Sequence, residues 1–142
     1  KNDMRGKPFL VIFDTNLWIS FLISDNLHRI DHLFEKRLLM LLFSYESMEE
    51  FLTVSSRMKF QKYFSYPDII NLLGLFNQYG ILVKVNSTIT ACRDPKDNFL
   101  LSLAKDGNAD FLVTGDIDLL ILKKFGKTKI LTMKDFSKLF PH

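Results

Sequence analysis

Short apolar runs that alternate with helical segments constrain the fold of this 142-residue chain more than any other feature. Phe9-Leu-Val-Ile-Phe13 is continuously apolar with β-branched members and too short for a helix, the pattern of a strand buried on both faces. Leu38 to Phe43, Ile81 to Val85, Phe111 to Thr114 and Lys129 to Leu131 read as further strands. Helices are predicted between them, over Asn16 to Ile23 and Asn26 to Lys36. The next is capped by Ser44, with Tyr45, Met48, Leu52 and Ser55 along one face. Ser65-Tyr66-Pro67-Asp68 starts a helix that runs through Tyr79 and stops at Gly80. Asp94-Pro95 opens another to Lys105, Asp116 one to about Lys124, and Thr132 caps a terminal helix. The alternation predicts an α/β fold, a three-layer α/β/α sandwich around a mostly parallel sheet. Such sheets place their sites at the carboxyl ends of the strands.

The length fits one domain over residues 1–142, and a hydrophobic fraction of 47% with 14 phenylalanines argues for a filled core rather than disorder. Cys92 stands alone, so no internal disulfide and no Cys/His zinc set is expected, and a reducing, cytoplasmic setting is the natural reading. Cys92 itself reads as packing. No membrane span is expected: Phe9 to Ile23 is interrupted by Asp14 and Asn16, and Leu38 to Phe43 is too short. No secretory signal is read either, in a sequence that begins at Lys1 rather than Met. Nineteen basic against sixteen acidic residues give a net charge of +3. Withdrawing several acids into one cluster would leave the remaining surface more basic, as suits a protein that handles a polyanion; an ordinary lysine-rich surface is the alternative.

Four acidic motifs carry the chemistry: Asp14-Thr15-Asn16, Glu49-Glu50, Asp94-Pro95-Lys96-Asp97 and Thr114-Gly115-Asp116-Ile117-Asp118. Each has a structural explanation. Asp14 and Asn16, Asp94 and Asp116 sit where helix caps belong, Asp97 and Asp118 where a first-turn acid favours the helix dipole. Periodicity leaves Glu50 on a solvated face. The shared location of Asp14 and Asp116 is harder to explain that way, because both follow buried strands at one sheet edge. Converging carboxylates repel unless a cation lies between them, and Mg²⁺ or Mn²⁺ accepts several anionic oxygens. His28 and His32 have the spacing of a helical metal pair but lack the glutamate of a zinc protease motif, and read as a solvated face. Arg57, Lys59 and Lys62 suit either an RNA backbone or the solvated end of a helix.

Taken in order, the motifs resemble the PIN-domain family of metal-dependent ribonucleases, found in many prokaryotic toxin–antitoxin systems. Phe-Leu-Val-Ile-Phe-Asp14-Thr15-Asn16 is similar to its opening strand, and Glu50-Phe51-Leu52 with Arg57 and Lys59-Phe60 to its acidic helix. Arg93-Asp94-Pro95-Lys96-Asp97-Asn98 and Ala109-Asp110-Phe-Leu-Val-Thr114-Gly115-Asp116-Ile-Asp118 are similar to its third and fourth motifs. The resemblance spans Phe9 to about Phe140. It implies a catalytic quartet of Asp14, Glu50, Asp97 and Asp116, with Asp14, Asp97 and Asp116 as ligands to Mg²⁺ or Mn²⁺. Asn16, Asp94, Thr114 and Asp118 become auxiliary residues, and Arg57, Lys59 and Lys62 candidates for RNA binding. It further implies cleavage of single-stranded RNA, a toxin's role with an antitoxin protein as partner, and a homodimer. Phe51 stands where the family has leucine, the Trp18 and Phe21 neighbourhood is bulkier than usual, and Glu49 competes with Glu50, which the spacing to Arg57 and Lys59 favours. Two alternatives remain: a PIN-like module that binds nucleic acid or protein without cutting, and an aspartate-based phosphotransfer domain, whose lysine and threonine the sequence does not assign.

Overall fold

The computed structural model describes residues 6–24 and 28–140. Its strands are β1 (Phe9–Phe13), β2 (Leu39–Phe43), β3 (Gly80–Leu82), β4 (Phe111–Val113), β5 (Lys124–Phe125) and β6 (Thr128–Leu131). The helices are α1 (Thr15–Ser24), α2 (His28–Glu35), α3 (Tyr45–Ser55), α4 (Tyr66–Tyr79), α5 (Pro95–Gly107), α6 (Ile117–Leu120) and α7 (Met133–Lys138), with a single 3₁₀ turn at Met58–Phe60. The strands form one sheet in the order β3-β2-β1-β4-β6-β5, parallel throughout except where β5 returns antiparallel to β6. This is the expected α/β fold with a mostly parallel sheet.

The unbroken hydrophobicity of β1 follows from its central place, since successive side chains enter opposite layers. Val11 and Phe13 pack with α1, α2, α3, α4 and α7, while Ile12 packs with α5 and α6. The first layer is aromatic: Phe13 meets Trp18 edge-on at 5.1 Å and Phe136 at 5.6 Å, and Trp18 meets Phe76 at 5.0 Å. The bulk of Trp18 and Phe21 is therefore core. Both ends of β1 are fastened by aspartates. At its start, the Leu10 amide donates to Asp110 Oδ2 at 2.8 Å while the Asp110 amide donates to the Leu10 carbonyl at 2.8 Å. At its end, the Asp14 amide donates to the Val113 carbonyl at 3.0 Å.

Several expectations need correction. The buried face of α3 carries Phe51 and Ser55, whereas Tyr45 is 67% and Leu52 41% exposed. Phe51 lies stacked 6.4 Å from Phe76, so tertiary packing turns the helix about one residue away from the predicted face. The third strand ends at Leu82 rather than Val85. Beyond Val83, whose amide still donates to the Phe43 carbonyl at 2.8 Å, the backbone leaves the sheet, and Asp106 takes up the Asn86 and Ser87 amides. The helix predicted from Asp116 to Lys124 is a single turn, because Lys123 adopts a left-handed φ of 62° and a hairpin through Gly126 (φ 59°) follows. Helix α2 begins at His28; the predicted start at Asn26 lies outside the described residues. Gly80 stops α4 as expected, where a Cβ would collide with the Phe76 carbonyl and the Phe43 ring. Among the described residues no helix is long and apolar enough to cross a membrane.

Candidate active site

The carboxyl edge of the sheet gathers acids from four segments of the chain into one cleft of about 190 Å³. Register explains the first two. Phe13 pairs with Val113, so Asp14 and Thr114 leave the sheet as neighbours. The Thr114 hydroxyl, fully buried, donates to Asp14 Oδ2 at 2.8 Å and accepts from the Asp116 amide at 3.0 Å. One side chain thereby ties the two strand-end acids together. Asp116 in turn caps α6, its Oδ1 accepting from the Asp118 amide at 2.8 Å.

Helix α5 supplies the third acid. Asp94 caps it by accepting from the Lys96 amide at 2.9 Å, and Pro95 pre-sets the backbone of the first turn. That turn directs Asp97 inward, where it is only 4% exposed. Its Oδ2 is the one side-chain oxygen or nitrogen among the described residues that is buried without a hydrogen-bond partner. An ionised oxygen in that position is costly unless a proton or a cation meets it. Burial, reinforced by the neighbouring Asp116 carboxylate and by Asp94 and Asp14, pushes the Asp97 carboxyl up to about 6. Burial also raises Asp14, against the opposing hydrogen bonds from Thr114 and the Asn16 amide.

Helix α3 contributes Glu50, whose Oε1 accepts from the Thr15 hydroxyl at 3.0 Å and whose Oε2 lies 3.6 Å from Lys96 Nζ. Glu49 is exposed and outside the cleft, so Glu50 is the acid that faces it. Asn16 and Asp94 line the cleft with these acids. The tightest group differs from the expected Asp14, Asp97 and Asp116: carboxylate oxygens of Asp97, Asp116 and Asp118 lie within 4.8 Å of one another. Asp118 also pairs with Arg93 Nη2 at 3.4 Å. Arg57, Lys59 and Lys62 project from the exposed turn after α3 and are not among the cleft's lining residues. Thr15 and Lys96 lie inside the motifs, but only tertiary structure reveals that both engage Glu50. Cys92 is half-buried, and burial together with the surrounding acids raises its thiol, which keeps it protonated and unsuited to nucleophilic attack.

The donor set is entirely hard oxygen, which suits Mg²⁺ or Mn²⁺ and not zinc in a structural role. An unpartnered buried oxygen on Asp97, whose carboxylate clusters with those of Asp116 and Asp118, fits a divalent cation on the same grounds.

Comparison with known proteins agrees with this chemistry. The family model described as PIN domain matches residues 10–118. An uncharacterized protein of Methanocaldococcus jannaschii is 28% identical over 145 aligned residues, which cover 92% of this chain and 90% of that protein. No solved structure matches the chain.

Proposed function

The chain belongs to the PIN-domain family, which is one of nucleases that generally use a divalent metal, and from that premise we propose that it is a metal-dependent endoribonuclease acting on single-stranded RNA. The observation that carries the reading is the buried, unpartnered Oδ2 of Asp97 within a cleft of convergent acids. Asp97, Asp116 and Asp118 would hold the ion together with Asp14. When bound, such an ion supplies positive charge that acidifies water and neutralises charge on the phosphate being cleaved. Thr114 fixes the orientation of Asp14, so that this carboxylate does not have to be ordered at the moment of reaction. Glu50, whose Oε1 accepts from the Thr15 hydroxyl, would accept a proton from the attacking water. Asn16, at the mouth, offers an amide to a phosphate oxygen.

A binding-only module would have no use for an orphaned buried carboxylate, and that observation favours the enzyme. The deciding experiment is Mn²⁺-dependent cleavage of single-stranded RNA by wild type, Asp14→Asn and Asp97→Asn, with circular dichroism to establish that the variants fold. Loss of cleavage in folded variants is the expected result. Undiminished cleavage would remove the proposal. On the family resemblance we further assign the chain, as a single domain, to the cytoplasm as a homodimeric toxin that an antitoxin protein restrains.

A further inference from the structure

A cleft lined by carboxylates repels the RNA phosphates that must enter it, so something on its rim has to compensate. Arg57, Lys59 and Lys62 are not among its lining residues. Two other cations stand beside its acids, Lys96 as a lining residue and Arg93 against the neighbouring Asp118. Lys96 Nζ stands 3.6 Å from Glu50 Oε2, and Arg93 Nη2 stands 3.4 Å from Asp118 Oδ2. Their side chains are 72% and 90% exposed, so both pairs sit in water, and such pairs exchange partners at little cost.

Their stems, in contrast, are fixed. The Asn98 side chain grips the Cys92 backbone twice, accepting from its amide at 2.7 Å and donating to its carbonyl at 2.8 Å, which holds the residue before Arg93. Asp94 and Pro95 fix the backbone at Lys96. Rigid stems with exposed charged ends that can change partner are what a phosphate clamp requires. The placement is also two-sided. Glu50 lies on the helix that leaves β2 and Asp118 on the one that leaves β4, with Asp14 at the end of β1 between them. The two cations therefore meet acids that stand on opposite sides of β1.

We propose that Arg93 and Lys96 position the substrate: counterions to Asp118 and Glu50 in the ion-free protein, they turn to the RNA phosphates flanking the scissile one once a divalent ion engages the carboxylates. The inference rests on the ribonuclease reading above. Arginine suits such a contact because its fork holds a phosphate through two hydrogen bonds.

The test is single-turnover cleavage of single-stranded RNA in Mn²⁺ by wild type, Arg93→Gln, Lys96→Met and Arg93→Lys, at several salt concentrations. Mn²⁺ binding to the RNA-free proteins is measured alongside by calorimetry. Each neutralising variant should raise the half-saturating protein concentration about five- to tenfold and lower the salt slope by about 0.7, with a maximal rate within about threefold of wild type. Arg93→Lys should restore the slope. Mn²⁺ affinity should hold or rise, by up to about fivefold, because a competing counterion has gone. Unchanged half-saturation and salt slope in both neutralising variants would overturn the inference while leaving the ribonuclease intact, as would weakened Mn²⁺ binding, which would mark the cations as supports of the site. A wild type that cleaves no RNA under any of these conditions would instead bring down the functional reading, and this inference with it.

Discussion

Helix α5 carries an aspartate near each end, and the two are opposites. Asp106, near the C-terminus, accepts the Asn86 amide at 2.6 Å, the Ser87 amide at 2.8 Å and the Ser87 hydroxyl, and these bonds hold its carboxyl below the usual range. Asp97, near the N-terminus, has a buried oxygen with no partner and a carboxyl pushed up to about 6. One acid is satisfied by the fold and secures a connecting segment; the other is left wanting and opens on the cleft. Residue type and helix are the same, so the difference lies in what surrounds each carboxylate. A group that the fold could have satisfied and did not is where function is to be sought.

Substitutions at the two ends should separate these roles. The largest effect is expected from Asp97→Asn, which should reduce Mn²⁺-dependent RNA cleavage by roughly three orders of magnitude or more; Asp106→Asn should cleave within a few-fold of wild type, and equal losses in the two would erase the contrast. Next is stability without metal. Relieving the buried charge should make Asp97→Asn more stable than wild type at neutral pH by on the order of 2–3 kcal/mol, or several degrees in melting temperature. Asp106→Asn should melt below wild type. Adding Mn²⁺ at about a hundred times its dissociation constant should raise the wild-type midpoint by the equivalent of about 2.7 kcal/mol and leave Asp97→Asn nearly unmoved.

The pH profiles should differ in sign. The folded pKa of Asp97 lies above the ordinary 3.8, so the folded state binds the extra proton. Its contribution to metal-free stability is therefore greatest below about pH 4 and is lost as pH climbs through 6. For Asp106 the folded pKa is lowered, so its contribution is present above the ordinary value and disappears as pH falls through the folded one. Urea midpoints of wild type and the two variants between about pH 2 and 8 would reveal both trends, the Asp106 change falling below about pH 4 and the Asp97 change above it. A flat wild-type minus Asp97→Asn difference across that range would show that the buried carboxyl is not under strain. The smallest effect is expected at Thr114→Ser, which keeps the hydroxyl between Asp14 and Asp116 and should cleave within a few-fold of wild type, whereas Thr114→Val should lose substantially more.

Much of this was legible in the sequence, for physical reasons that can be named. Strand β1 was readable because a doubly buried strand needs an unbroken apolar run, and α5 because Asp94 and Pro95 announce a helix start by local bonding alone. The face of α3 was not, because Phe51 and Leu52 are both apolar and only Phe76, arriving from α4, decides between them. The same ambiguity left Glu50 on a solvated face by periodicity, although it borders the buried one. That α6 lasts only a single turn was hidden by Lys123, a residue with no preference for a left-handed backbone. The pairing of Lys96 with Glu50 is not legible in the sequence, because nothing in either motif refers to the other.

The aspartates that fasten β1 also solve a problem of alignment. A strand apolar on both faces has no alternation to fix its position, and sliding it by one residue between β2 and β4 would exchange one greasy side chain for another. Its two ends are not interchangeable in this way. A slide in one direction would carry Asp14 into the place of Phe13, an ionised group among aromatic rings, at a cost of several kcal/mol; a slide in either direction would detach Leu10 from Asp110. The acid proposed for catalysis thus acts during folding as a stop that sets the strand to its mark, and selection for cutting RNA and selection for a unique sheet would preserve the same side chain.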